Sequence, residues 1–363
     1  MNILIISNRF FSIANSRQTL INELLLNEWR IIIAANFDGF EKNIDSRVKC
    51  IDLKFTLFHI LGTGFKLQTI IRREKITIVH AFNPIPVFVA GILKILFSYK
   101  LIVTITGLGA AYAHGSNMTR LYDWFYRLSL TKADRVIFQN KDDYNYFINK
   151  LPPDQKSKME VITSSGVDLN RFKQRPSPLK RTQPPFKILF VSRLIKQKGI
   201  SYLEKIAKGL NKYKEFEIHV YGEYESEHSD SISKQEYENL ISLSNVTFHG
   251  FVKEIEEVYA DYQILICCSL REGVPRVILE ASATGLPVVA FNVPGVREGV
   301  FDNVNGFLVN PFDTEKFIDR ILLLKECRKT YQRISMAGRN VVSERFSHKA
   351  IAKRYCEVYQ SLS

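Results

Sequence analysis

Short apolar runs alternate with longer stretches of mixed polarity along the whole chain. Residues 2–7 (NILIIS) and 30–35 (RIIIAA) are near-continuous aliphatic runs, the pattern of strands buried on both faces. Between them, residues 17–28 repeat apolar positions at helical spacing. The same reading predicts strands at 48–53, 77–81, 101–105, 135–139 and 160–163, with helices at 65–74 and 86–97. Buried strands joined by helices imply a parallel sheet wrapped on both faces. The pattern breaks at 173–186, KQRPSPLKRTQPPF, where four prolines and four basic residues show no apolar period. That is linker composition. Strands then return at 187–191, 217–221, 247–249, 263–268, 287–291 and 306–309. Helices are expected at 200–208, 255–260, 274–284, 314–326 and 348–360.

The expected fold class is α/β, with two Rossmann-like, doubly wound parallel-sheet domains. Domain one covers 1–172, the linker 173–186 and domain two 187–345. A last helix, 346–363, is expected to pack back towards domain one. Ligands of such sheets sit beyond the carboxyl ends of the strands, so the cleft between two such domains is the expected site.

A length of 363 residues suits two domains. Hydrophobic content of 46% with 24% charged residues excludes chain-wide disorder. The five cysteines (Cys50, Cys267, Cys268, Cys327, Cys356) form no CxxC pair and no zinc-ligand spacing, which fits a reducing compartment. The apolar start at 1–7 is too short for a signal peptide and lacks a basic leader. The longest apolar stretch, 82–105, is interrupted by Lys94 and Lys100, so no spanning helix and a cytoplasmic location are expected. The net charge is +13, and residues 1–174 hold 23 basic against 14 acidic side chains. A basic first half suits an anionic partner: nucleic acid, anionic lipid or a diphosphate-bearing substrate.

Chemistry concentrates in 271–280, REGVPRVILE, directly after an apolar strand. Glu272 falls in the loop and Glu280 on the following helix, separated by very roughly 7–10 Å. Carboxylates at that separation can accept from the hydroxyls of a sugar ring and of a ribose. Free N–H groups at the helix start can meet a diphosphate. Ala281, Ser282 and Ala283 are small enough for close packing beside a ligand. A second motif, 191–199 (VSRLIKQKG), follows the first strand of domain two. Its cations Arg193 and Lys198 can neutralise a departing diphosphate as its charge develops.

The run from Arg271 to Asp313 resembles the signature of the GT-B glycosyltransferases often called family 4: E-x7-E, then EA-x-A-x-G-x-PVVA, a glycine-bearing loop and nGfLV-p-D. By that resemblance Glu272 contacts the donor sugar, Glu280 holds the ribose, and Gly273, Val274, Pro275, Gly295 and Val296 line the donor. The family usually has a second glycine where Val296 stands. Residues 191–199 resemble the family's GRL-x(3)-KG, with Ser192 for glycine, which makes Arg193 and Lys198 the diphosphate clamp. The segment 166–172 resembles the one that ends the family's first domain.

On the acceptor side, Thr106-Gly107-Leu108-Gly109 stands where several relatives carry a histidine at Thr106. The TGLG form resembles a subgroup extending glycans on undecaprenyl diphosphate. Gly107 and Gly109 would let backbone N–H groups approach a phosphate or sugar. Many relatives also have histidine where Phe82 stands. Arg9 and Arg17 are placed to meet an acceptor diphosphate, while His114 reads as a surface loop histidine. Aromatics and cations interleave at 118–127 and 55–73, as in segments lying on a membrane surface.

The resemblance implies a retaining glycosyltransferase moving a hexose or N-acetylhexosamine from a nucleotide sugar, by default a UDP-sugar. The implied acceptor is a lipid-diphosphate-linked glycan in bacterial surface polysaccharide (O-antigen, capsule) synthesis. It implies no metal or other cofactor, and peripheral contact with the inner face of the plasma membrane. Alternatives are another sugar-nucleotide enzyme of the same fold (an epimerase or synthase), a silent homologue, or a basic binding protein. No nucleic-acid motif supports the last, and no nucleic-acid partner is expected.

Overall fold

The computed structural model describes residues 1–56, 59–109, 112, 117–174 and 185–362. The chain forms two compact units: residues 1–166 with the segment from His348 onward, and Val167–Ser347. The residues after Gly166 thus group with the second unit, six positions earlier than the division expected at 172. Most of the expected linker, 175–184, lies outside the described residues, as does His114.

The first unit is a seven-stranded sheet: β1 (Asn2–Arg9), β2 (Arg30–Asn36), β3 (Lys49–Asp52), β4 (Ile78–Phe82), β5 (Lys100–Ile105), β6 (Arg135–Phe138) and β7 (Met159–Val161). The order is β3-β2-β1-β4-β5-β6-β7, and every pair is parallel. Strand side chains alternate between faces, so β1 feeds two cores. Leu4 and Ile6 join one cluster, Ile3 and Ile5 the other. Helices α3 (Ile60–Arg73), α4 (Pro84–Leu96) and α5 (Asn117–Lys132) contribute Leu67, Val87 and Leu130 to the first cluster. Helices α1 (Phe10–Ser16), α2 (Gln18–Leu26) and the C-terminal helix supply Phe10, Leu20, Ile351, Tyr355 and Tyr359 to the second.

The second unit is a six-stranded sheet: β8 (Phe186–Val191), β9 (Phe216–Tyr221), β10 (Val246–Gly250), β11 (Ile264–Cys267), β12 (Val288–Phe291) and β13 (Gly306–Val309). Its order is β10-β9-β8-β11-β12-β13, again all parallel. Helices α6 (Ile200–Leu210), α7 (Arg276–Thr284), α8 (Thr314–Glu326) and α9 (Arg328–Arg345) cover it, and α10 (His348–Gln360) is the C-terminal helix of the first unit. Helix α7 starts two residues later than its apolar pattern because Pro275 occupies the N-cap and its ring keeps the preceding Val274 out of the helical conformation.

Strand order reverses between β1 and β4 in one sheet and between β8 and β11 in the other. Adjacent loops leave such a point in opposite directions and open a crevice at the carboxyl ends. The first crossing of the chain lies beside the second: Val167 N–H donates to Phe346 O at 2.8 Å, and Val167 bridges Ser347. Among the described residues no helix is long and apolar enough to cross a membrane.

Candidate active site

Three loops meet at the carboxyl end of the second sheet, beside its reversal point. The loop after β8 runs through a 3-10 turn, Lys196–Lys198, to Gly199 at φ +72°. A Cβ on Gly199 would lie 2.0 Å from Cys268 O, so only glycine lets this loop close on the end of β11. Gln197 stitches the two loops together. Its side-chain amide donates to Arg271 O at 2.8 Å, and its carbonyl accepts from Leu270 N–H at 2.9 Å. The loop after β12 closes the third side. Glu272 N–H donates to Pro294 O at 3.0 Å. Gly295, at φ +81°, faces the Glu272 and Gly273 carbonyls so closely that a Cβ would fall 2.2 and 2.4 Å from them.

This framework brings two expected site residues together: Lys198 Nζ donates to Glu272 Oε1, with both side chains mostly buried. Glu280 sits on α7 and is 5% exposed. Its Oε2 accepts from the Tyr259 hydroxyl at 2.9 Å, and its Oε1 lies 3.0 Å from Arg276 Nη2. Burial and the Glu280 charge push the Tyr259 hydroxyl well above its ordinary pKa, so it stays a donor. Arg193 is not joined to the Lys198–Glu272 pair. It is exposed, and its guanidinium faces Glu225 at 3.7 Å.

Gly273, Val274 and Pro275 are buried at the start of α7. Val296 is fully buried and belongs to the hydrophobic core, so its side chain is a packing group and only its backbone lies along the loop. The small residues after Glu280 pack differently from the sequence reading. Ser282 faces α9, where a Cβ on Gly338 would come 3.0 Å from Ser282 O, and Arg339 Nη1 donates to Ala283 O at 2.8 Å. They allow helix-on-helix approach rather than room for a ligand. Gln197, Tyr259 and Arg276 were missed by sequence reasoning; a lone glutamine, tyrosine or arginine gives no signal until the fold supplies its partner.

In the first unit, Thr106, Gly107 (φ +126°) and Gly109 (φ +71°) leave the end of β5, next to β4. Asn83, at φ +68°, links the ends of β4 and β1 by accepting from Ser7 Oγ at 2.8 Å and Asn8 N–H at 3.2 Å. A non-glycine residue held there is strained, and such strain gathers where ligands bind. Arg9 is a surface cation paired with Asp38 at 3.2 Å. Arg17, in contrast, is buried against the rings of Phe82 and Tyr355. His80 lies beneath, bonded to Tyr359 Oη and Thr104 Oγ1, and burial with the Arg17 charge holds its pKa well below 6.5. No three His, Cys, Asp or Glu side chains gather into a metal-binding group among the described residues.

Two family models match the chain: "Glycosyltransferase Family 4" over residues 19–171 and "Glycosyl transferases group 1" over 170–341. The capsular polysaccharide biosynthesis glycosyltransferase CapM of Staphylococcus aureus is 24% identical over 319 residues, covering 84% of this chain and 82% of that protein. The UDP-Gal:alpha-D-GlcNAc-diphosphoundecaprenol alpha-1,3-galactosyltransferase of Escherichia coli is 26% identical, covering 70% of this chain and 68% of its own length. The crystal structure of Anabaena HepE in complex with UDP-glucose shares the fold, with TM-score 0.82 at 19% identity, covering 99% of this chain and 100% of that one. With two parallel-sheet units built as in the GT-B fold and family matches running from residue 19 to 341, the chain belongs to the group 1, family 4 glycosyltransferases and is a glycosyltransferase enzyme.

Proposed function

We propose that this enzyme transfers a hexose or N-acetylhexosamine, with retention of configuration, from a UDP-sugar held by the second unit to a lipid-diphosphate-linked glycan in bacterial surface polysaccharide synthesis. The carrying observation is the Lys198–Glu272 pair at the reversal point of the second sheet, with Glu280 anchored one helix away. In the reaction, the bond from the sugar C1 to the diphosphate oxygen breaks and one from C1 to the acceptor oxygen forms. The acceptor hydroxyl enters from the leaving-group face and its proton passes to a phosphate oxygen. Lys198 turns from Glu272 to the diphosphate, Arg193 swings from Glu225 to join it, and the two cations carry the developing charge without a metal. Glu272 is then free to accept from the donor sugar hydroxyls, and Glu280 holds the ribose. Catalysis is positioning and charge stabilisation.

The CapM and galactosyltransferase likenesses support the polysaccharide setting and the lipid-linked acceptor. Peripheral attachment to the inner face of the plasma membrane is supported by apolar side chains left in solvent on three neighbouring helices: Leu61 and Phe65 on α3, Ile95 and Leu96 on α4, Leu121 and Trp124 on α5. Lys66, Arg72, Arg120 and Arg127 on α3 and α5 add positive charge for anionic headgroups.

The test is incubation with a panel of UDP- and GDP-sugars and undecaprenyl-diphosphate-linked acceptors, with the product's anomeric configuration read by NMR. An α-linked product from one UDP-sugar is expected, lost in Lys198→Ala. Full turnover in both Lys198→Ala and Glu280→Ala would remove this site assignment.

A further inference from the structure

Arg17 is 4% exposed, yet among the described residues no carboxylate pairs with it and no acceptor takes its side-chain N–H groups. Its guanidinium lies 4.7 Å from the centroid of Phe82 and 5.3 Å from that of Tyr355. Ring faces offset part of the cost of burying a cation but satisfy none of its five N–H donors. Close by, a second polar group is stranded: the Tyr355 hydroxyl is buried and has no hydrogen-bond partner among the described residues. A third set of donors begins at the same residue. Arg17 is the N-cap of the nine-residue α2, and its side chain caps nothing. The leading N–H groups of a helix have no partner within it.

Phe82 ends β4, so these donors collect at the carboxyl end of the first sheet, beside the β1–β4 reversal. The guanidinium and the helix N–H groups belong to the start of α2, and the phenol to the C-terminal helix, whose Tyr355 ring packs on that guanidinium. That suits a tetrahedral oxyanion, which offers several oxygens in three dimensions, better than a planar carboxylate.

We infer that the first unit carries a subsite for a phosphate-type oxyanion, with Arg17 as its charge, and the Tyr355 hydroxyl and the first N–H groups of α2 as further donors. Its occupant is the diphosphate of the acceptor. The oxyanion site stands on the geometry of the first unit alone, whereas assigning it to the acceptor rests on the transferase reading above. The C-terminal helix, through Tyr355, thereby becomes part of the acceptor site.

Hydrogen exchange read by mass spectrometry, with inorganic pyrophosphate as the probe, tests the site in the intact wild-type protein. Slower exchange is expected over residues 17–21, and Arg17→Met, which keeps the stacking bulk without charge, should abolish it. Protection over 193–199 reports the donor site separately, and UDP should reproduce that protection alone. Absent protection over 17–21 in the wild type overturns the inference, whatever happens at 193–199. In the melting curve of the free protein, Arg17→Met should be as stable as wild type or more so. A lower melting temperature with unchanged pyrophosphate protection assigns Arg17 to stacking and also overturns it. For the source of the oxyanion, one glycan is compared on a short prenyl diphosphate and on the matching prenyl alcohol. A KM advantage of about tenfold for the diphosphate, lost in Arg17→Met, is expected. No advantage in the wild type, with protection by pyrophosphate intact, keeps the oxyanion site but removes the acceptor as its occupant.

Discussion

Replacing Gly295 with alanine tests the geometry of the site most directly. The added Cβ would sit 2.2 Å from the Glu272 carbonyl oxygen and 2.4 Å from that of Gly273. To reach ordinary van der Waals distance, this backbone has to retreat by about 1 Å. The left-handed backbone at φ +81° costs an alanine a further ~1–2 kcal/mol. Overpacking adds about 1–3 kcal/mol, giving a total of about 2–5 kcal/mol. Gly39→Ala is the control: at φ +88° with nothing within 4 Å, it carries only the backbone cost. Displacing Glu272 by about 1 Å should lower turnover on the order of a hundredfold. Urea unfolding followed by circular dichroism, with UDP release assayed in parallel, separates the two effects. If Gly295→Ala matched Gly39→Ala in stability and stayed within about twofold of wild type in turnover, the three-loop account would be wrong.

Two further outcomes follow from buried polar groups. Tyr259→Phe removes the hydroxyl that holds Glu280 Oε2; a hydrogen bond to a charged group contributes about 1.5–3 kcal/mol. Calorimetry should show UDP binding weakened about tenfold or more, with kcat changed far less, and an unaltered Kd would detach Tyr259 from the donor site. His80 has its folded pKa depressed by burial, so its contribution to stability is present above about pH 6.5 and lost as pH falls below it. Between pH 6.5 and 5 the wild type should lose up to about 1.4 kcal/mol per pH unit more than His80→Gln. Parallel denaturation curves for the two across that range would refute the buried neutral histidine.

The strands were legible because each is a compact run of aliphatic residues, and a run such as NILIIS has few alternatives to a strand buried on both faces. Helix α9, eighteen residues long, went unread. Its buried positions, Tyr331, Ile334, Ser335, Gly338 and Val342, include a serine and a glycine that interrupt any apolar stripe. Helix α1 was likewise hidden, since FFSIANS is too short to show a period. Glu272, Glu280 and Lys198 were singled out by the resemblance of two motifs to the family pattern, and the fold brings Lys198 onto Glu272. Tyr259 was not, because it lies 21 positions from Glu280 and meets it only after β11 and α7 are in place. Val296 stood out as a departure from glycine, but its destination in the core depends on packing that no local pattern encodes.

The first unit is assembled from both ends of the chain, and this orders its birth on the ribosome. The second unit is one uninterrupted segment, Val167–Ser347, and can close as soon as it emerges. The first cannot, because Tyr355 and Tyr359 of α10 fill its core beside Ile3 and Ile5. The half made first is therefore finished last. Until α10 has emerged, the β1–β4 sheet face waits with an apolar gap where that helix will lie, so truncation after Ser347 would leave the second unit whole and the first uncovered.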